Sequence, residues 1–228
     1  DVQKDTLRKS SVSHEESLEM IEWAVKEQVD LGLDIITDGE AYRENMYWFY
    51  QLRLDGVDTK YKKYKQFSVG GSTEGVDLSK AHPLVKEKGG FGIECAVIND
   101  KIKNPRWDLA KKWKHARECA RSNVEVKQTI TGPHMLARFS VNERKDLYKD
   151  DIELCKAYAE CIKDEINELN NVGCDYIQID EPVLTEAPSE CIWAADIING
   201  IIDQFPNIKF GLHICGGNAH RRRGYFGR

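Results

Sequence analysis

Apolar residues recur at spacings of three and four from about residue 14 to residue 31, and this pattern predicts an amphipathic helix. Ser13 followed by Glu16 is a capping-box signature at the start of that helix. Gly32 then precedes a short run of β-prone residues, 33–37. Helix, glycine and strand together predict one α/β unit. The apolar positions that define the helix face are Leu18, Ile21, Val25 and Val29.

The same order of elements recurs downstream. Further helices are predicted at about 107–121, 149–170 and 190–205, and the strands that follow them at about 124–131, 175–180 and 208–215. Alternating helices and short apolar strands predict a parallel sheet, either open or closed into a barrel. Between about 54 and 103 this alternation gives way to charged and glycine-rich sequence. We interpret that segment as an insertion after the first strand, with one or two hairpins.

Composition narrows the class of protein. The chain has 228 residues, somewhat fewer than the about 250 typical of a complete α/β barrel. A net charge of −5 from 33 basic and 38 acidic residues argues against nucleic-acid binding, which usually needs a strongly basic surface. No run approaches the roughly 18 apolar residues that cross a bilayer, and seven scattered cysteines favour reduced thiols. We therefore expect a cytoplasmic protein with neither nucleic-acid nor membrane partners.

Polar or turn-forming residues stand at the end of each predicted strand. Because active sites of parallel α/β proteins gather at the carboxyl ends of the strands, these residues are expected to meet at one edge. His213 and Cys215 are two residues apart on a strand, so their side chains point the same way. Imidazole and thiolate together suit zinc, although packing is the commoner role of a lone pair of this kind.

Two acids at strand ends are candidate ligand-binding groups. Tyr176, Gln178 and Asp180 share one face of their strand, and a buried polar face is costly unless it is hydrogen-bonded or contacts a ligand. Glu40 ends an earlier strand. The alternatives are that Asp180 only caps the following turn and that Glu40 belongs to an ordinary turn. Thr131-Gly132-Pro133 predicts a tight turn, and the neighbouring His134 is predicted to be exposed.

Four segments, taken in order, resemble the cobalamin-independent methionine synthase family, and its short single-barrel members more than the long two-barrel enzymes. They are Gly32 to Glu40 with Arg43, Thr131-Gly132-Pro133, Gln178 to Pro182, and His213 to Asn218. The resemblance implies an α/β fold of the (β/α)8 TIM-barrel class, of which about four of the eight strands are present. It also implies that residues 1–228 form a partial catalytic domain, interrupted by the insertion at about 54–103.

The resemblance further implies a zinc-dependent methyl transfer to the thiol of homocysteine, giving methionine. In the family, Zn2+ is held by a histidine and a cysteine on one strand, a glutamate on the next and a second cysteine near the last. His213 and Cys215 match the first two ligands, and no position here matches the others. Glu40 and Asp180 match the carboxylates that bind the amino acid part of homocysteine. The expected partners are small molecules: homocysteine or another thiol, and a methyl donor.

Several alternatives stay open. The methyl donor is 5-methyltetrahydrofolate or a methyl-corrinoid, and the general acid that a folate donor needs is expected outside this chain. Another zinc-dependent thiol alkyltransferase, of the epoxide–coenzyme M type, would keep the zinc site and change the acceptor. A metal-free decarboxylase of the uroporphyrinogen type, or a non-catalytic relative, would keep the scaffold alone. With two of its ligands, the chain by itself is expected to bind zinc poorly and to be inactive.

Overall fold

A computed structural model describes residues 12–67 and 91–215. The α-helices are α1 (His14–Asp30), α2 (Trp48–Gln51), α3 (Leu109–Cys119), α4 (Pro133–Arg138), α5 (Asp151–Asn171) and α6 (Cys191–Ile202). The strands are β1 (Ile35–Ile36), β2 (Asp55–Phe67), β3 (Phe91–Lys103), β4 (Glu125–Val126), β5 (Gln128–Thr131), β6 (Ser140–Asn142), β7 (Tyr176–Asp180) and β8 (Lys209–His213).

The first helix forms as its sequence predicts. The Ser13 hydroxyl accepts a hydrogen bond from the Glu16 amide at 3.1 Å, and the Glu16 carboxylate accepts one from the Ser13 amide at 2.9 Å. Two of the four predicted apolar positions, Ile21 and Val25, are fully buried. Gly32 follows the helix with φ +78°, a left-handed conformation that glycine adopts without steric cost.

Four parallel segments form the sheet that carries the strand ends. β1 pairs with β4, and β5 pairs with β7, which pairs with β8. Only Lys127 separates β4 from β5, and its amide donates to the carbonyl of Ile36 at 2.8 Å. Across the sheet, the order is therefore β1, then the continuous segment of β4 and β5, then β7, then β8. Helices α3, α5 and α6 connect successive segments of this sheet. The described residues form a mixed α/β fold without a closed barrel.

A second sheet is built around a long hairpin. β2 and β3 are antiparallel and are paired as far as Phe67 and Phe91, while β3 pairs in parallel with β6 through Ala96 and Ser140. Both hairpin strands lie within the segment predicted as an insertion, and that role stays a prediction. Residues 68–90 lie outside the described part of the chain.

The main core lies between the parallel sheet and the helices. Alternate residues of β7, Ile177 and Ile179, are at most 1% exposed. Trp107 is fully buried, and its Nε1 donates to the carbonyl of Tyr50 in α2 at 2.9 Å. The two outer strands are less well buried: Ile35 on β1 is 43% exposed and Leu212 on β8 is 49% exposed. Between residues 12 and 215, excluding 68–90, no helix is both long and apolar enough to cross a membrane.

Candidate active site at the carboxyl ends of the strands

Polar side chains from different strands meet where the parallel segments end. Thr131 on β5 is in register with Asp180 on β7, and Asp180 is in register with His213 on β8. Because neighbouring parallel strands end at the same edge, these three positions lie side by side. Glu40 lies near them, since its carboxylate accepts a hydrogen bond from Thr129 on β5 and its charge raises the pKa of Asp180. The structure thus brings together Glu40, Asp180 and His213 from separate parts of the sequence.

Glu40 is held in an unusual backbone conformation after β1. Its φ is +54°, in the left-handed region that residues with a side chain seldom adopt. Two contacts fix it: its amide donates to Asp38 Oδ1 at 3.1 Å, and its carbonyl accepts from the Arg43 amide at 3.0 Å. One carboxylate oxygen accepts a hydrogen bond from the Thr129 hydroxyl. The turn therefore aims the Glu40 carboxylate at the β5 strand.

Arg43 places a buried cation beside that carboxylate. Its Nη1 lies 2.9 Å from Glu40 Oε2, and its Nη2 donates to the carbonyl of Thr129 at 2.9 Å. The Arg43 side chain is 3% exposed, and its guanidinium lies 5.4 Å from the ring centre of Tyr50. Among the described residues, the Arg43 Nε and Nη1 atoms have no partner with hydrogen-bond geometry, so the Glu40 contact is an ion pair. These contacts fix the guanidinium in one position.

Asp180 is a buried acid in an unfavourable electrostatic setting. It accepts a hydrogen bond from Gln178 Nε2 at 2.7 Å and is 7% exposed. Burial raises the pKa of Asp180 and the charge of Glu40 raises it further, whereas Gln178, Arg43 and His213 act in the opposite direction. A cationic group placed beside this carboxyl would stabilise its ionised form.

The two predicted zinc ligands lie at the same edge. His213 ends β8 and is exposed, and its carbonyl accepts from the Glu181 amide at 2.9 Å. Cys215 is half-buried, and its carbonyl accepts from the Thr185 hydroxyl at 3.2 Å. Imidazole and thiol are donors that zinc accepts, so the donor types fit the ion. Within the described residues no third His, Cys, Asp or Glu ligand atom groups with these two.

Sequence analysis missed an ionic network next to this edge. Glu181 is fully buried, and its carboxylate accepts hydrogen bonds from the amides of His134 and Met135, each at 2.8 Å, at the start of α4. Backbone amides at a helix N-terminus favour a negative charge. A Cβ on Gly132 would lie 2.1 Å from Glu181 Oε1, so only glycine permits this approach. The Gly-Pro pair, which predicted only a turn, in fact begins a helix.

His134 was predicted to be exposed, and this is wrong because its side chain is 1% exposed. Its Nε2 lies 2.7 Å from Glu190 Oε2, and its Nδ1 lies 3.6 Å from Glu181 Oε2. Arg138 also contacts Glu190, at 2.6 Å. Burial lowers the pKa of His134, but the two carboxylates outweigh it and the net shift is upward. The sequence held one signal that could have indicated this site and was not used: a proline suited to the first turn of a helix, with an acid, Glu181, following a predicted strand.

Comparison with known proteins identifies related chains. A family model described as the catalytic domain of cobalamin-independent synthase matches residues 2–192. A methionine synthase from Sulfolobus acidocaldarius is 30% identical over 193 residues, covering 85% of this chain and 49% of that relative. A methionine synthase from Pyrococcus furiosus is 29% identical, covering 98% of this chain and 55% of that relative. The chain therefore spans about half the length of the curated relatives it matches.

Solved structures agree on the fold. A B12-independent methionine synthase from Shewanella sp. W3-18-1, in complex with selenomethionine, superposes with a TM-score of 0.72 at 19% identity. The match covers 89% of this chain and 52% of that structure. At this identity the likeness establishes a shared mixed α/β fold.

Proposed function

Because the chain belongs to the family of cobalamin-independent synthase catalytic domains, we propose that it forms part of a zinc-dependent methyltransferase. The reaction moves a methyl group from 5-methyltetrahydrofolate or a methyl-corrinoid to the thiol of homocysteine, giving methionine. The observation that carries the proposal is the meeting of Glu40, Asp180 and His213 at one sheet edge.

In this proposal Glu40 and Asp180 bind the ammonium group of the substrate. Asp180 is buried and repelled by Glu40, so an ammonium beside it offsets both unfavourable effects. Arg43 is held by Glu40 and by the carbonyl of Thr129, and it keeps the Glu40 carboxylate in place. The charged amino acid end of the substrate is thereby oriented before the thiol reacts.

His213 and Cys215 would hold the zinc ion, together with ligands outside the described residues. When bound, zinc would favour the thiolate form of the substrate thiol, whose pKa in water is about 8.5, and so make it nucleophilic at neutral pH. In the net reaction the sulfur gains the methyl group and the donor's bond to that methyl group breaks. With a folate donor, the leaving nitrogen takes up a proton, which calls for a general acid.

We further propose that the four parallel segments belong to a (β/α)8 barrel. The exposed apolar residues on both outer strands, Ile35 and Leu212, support this, because adjoining strands would cover them. The segment 54–103 is then an insertion that extends from the barrel as a hairpin. The seven cysteines form no disulfide in the part of the chain that the structure describes, and this supports a cytoplasmic location, where thiols stay reduced.

Equilibrium dialysis against two thiols tests the proposed amine site. L-homocysteine should bind more tightly than 4-mercaptobutanoate, which lacks the amino group. Glu40→Gln and Asp180→Asn should each weaken homocysteine binding about tenfold or more, because each removes a charged partner of the ammonium. The matched control is Asp175→Asn, an exposed acid just before the same strand. Equal affinity for both thiols, or an equal loss in Asp175→Asn, would contradict the proposal.

A further inference from the structure

Three side chains of types that bind metal ions lie close together between two helices, away from the strand ends. His115 and Cys119 are four residues apart on α3, so both project from one helix face. Glu22 faces them from the middle of α1, which packs against α3. His115 Nε2 lies 3.1 Å from Glu22 Oε1 and 3.8 Å from Cys119 Sγ. All three ligand atoms lie within 4.8 Å of one another.

We propose that Glu22, His115 and Cys119 form a surface site for a divalent transition metal of the zinc class. Ligand bonds of about 2.0–2.3 Å in a tetrahedral site put the ligand atoms roughly 3.3–3.6 Å apart. The two distances from His115 Nε2 differ from this range by only a few tenths of an ångström. The third separation, between the ligand atoms of Glu22 and Cys119, is at most 4.8 Å, so these two side chains would move together by up to about 1.2 Å when an ion binds.

The donor types select the metal class. A thiolate, an imidazole and a carboxylate suit zinc and its neighbours, whereas magnesium and calcium favour oxygen ligands alone. The pKa of the Cys119 thiol is raised by burial and by the charges of Glu22 and Glu118. Metal binding would displace the thiol proton to solvent, and the fourth position would be filled by water. The same acids attract a cation to the site.

Binding at this site would join two helices that are distant in sequence. Glu22 belongs to α1 and the other two ligands to α3, and the ion pair between Asp30 and Arg121, at 3.8 Å, bridges the same two regions. A metal ion that binds the folded arrangement alone stabilises it. The proposal is independent of the proposed methyl transfer, because none of its residues lies at a strand end.

Cobalt(II) provides a spectroscopic probe of the site. We would titrate Co2+ into a His213→Ala/Cys215→Ala form of the chain, which removes the other imidazole–thiol pair. One equivalent should bind with a thiolate-to-cobalt charge-transfer band, and Zn2+ should displace it. Cys119→Ser in the same background should abolish the band. His115→Gln and Glu22→Gln should each weaken cobalt binding by at least about tenfold. Mutation of residues that only hydrogen-bond to a metal ligand already costs about tenfold or more, so loss of a ligand itself should cost no less.

Matched controls separate coordination from general charge effects. Glu118→Gln removes the charge of an exposed acid next to Cys119 without removing a ligand, so it should change the affinity by much less than tenfold. Cys191→Ser removes another accessible thiol and should leave the titration unchanged. On the unaltered chain, Zn2+ should protect Cys119 from iodoacetamide, as mapped by peptide mass, and should leave Cys191 reactive. Absence of the cobalt–thiolate band, its persistence in Cys119→Ser, or unprotected Cys119 at saturating Zn2+ would overturn the proposal.

Discussion

Replacing Gly132 by alanine should destabilise the protein through a single buried contact. The added Cβ would lie 2.1 Å from Glu181 Oε1 and 2.3 Å from its Cδ, distances that no relaxed structure tolerates. Glu181 is fully buried and holds two amides of α4 at 2.8 Å, so it has no free space to move into. Overpacking costs about 1–3 kcal/mol. A hydrogen bond to a charged group contributes about 1.5–3 kcal/mol.

These two costs overlap, because one displacement of Glu181 relieves the clash and breaks the hydrogen bonds. We therefore expect a loss of about 3 kcal/mol in the free energy of unfolding, a large share of the about 5–15 kcal/mol typical of a domain. Urea denaturation followed by circular dichroism measures it. With an m-value of about 3 kcal/mol/M, the midpoint should fall by about 1 M.

Two comparisons make this prediction refutable. Gly200→Ala places a Cβ in open space within α6, where alanine should stabilise the helix by about 0.5–1 kcal/mol. Gly132→Ala should also cost much less in a Glu181→Ala background, because the atoms it clashes with are absent. An equal loss from Gly132→Ala in both backgrounds, or a loss as large from Gly200→Ala, would show that the contact with Glu181 is not the cause.

Three further predictions concern charged groups near the strand ends. Arg43→Met should lower the free energy of unfolding, measured by urea denaturation, by about 3 kcal/mol, because it removes one partner of an ion pair in which Glu40 is partly exposed. Arg43→Lys should lose a similar amount, since lysine lacks the forked donors of arginine. The unaltered protein should have a larger free energy of unfolding than His134→Gln, with the full difference below the pKa of about 6.5 that histidine has in the unfolded chain. This difference should shrink as pH rises through the higher pKa of His134 in the folded protein. A difference that stays constant from about pH 5.5 to 9 would contradict the prediction. Homocysteine affinity should fall as pH drops through the raised pKa of Asp180, and this fall should disappear in Asp180→Asn.

Sequence periodicity predicted the elements that bury a continuous apolar face. α1 begins at the predicted capping box, and α5 forms at Asp151–Asn171 against a prediction of 149–170. Both helices are long enough for several apolar positions to repeat. The six-residue α4 shows no such repeat, and it forms because Pro133 sits in its first turn and Glu181 binds its amides. Elements fixed by a distant side chain in this way leave no periodic pattern.

In the candidate site, too, some positions could be predicted from the sequence and others depend on residues that are distant in the chain. Asp180 and His213 end parallel strands, so their neighbouring positions follow from strand direction. Glu40 lies beyond the end of β1, and its position depends on the turn that Asp38 and Arg43 hold. The burial of His134 could not be predicted in this way, since it depends on Glu181 and Glu190 arriving from another part of the chain. The metal-binding group at Glu22, His115 and Cys119 likewise depends on how α1 packs against α3.

The charges at the strand ends bear on which thiol the proposed methyltransferase would accept. Asp38, Glu40 and Asp180 all interact with the guanidinium of Arg43, which is already held by Glu40 and Thr129. A sulfonate placed beside Asp180 would add repulsion to a carboxyl that is already disfavoured in its ionised form, whereas an ammonium would relieve it. Both classes of thiol alkyltransferase would use the same zinc donors. Under the proposed function, the choice between an amino acid and a sulfonate acceptor would therefore depend on Asp180, the buried acid of β7, and not on the metal.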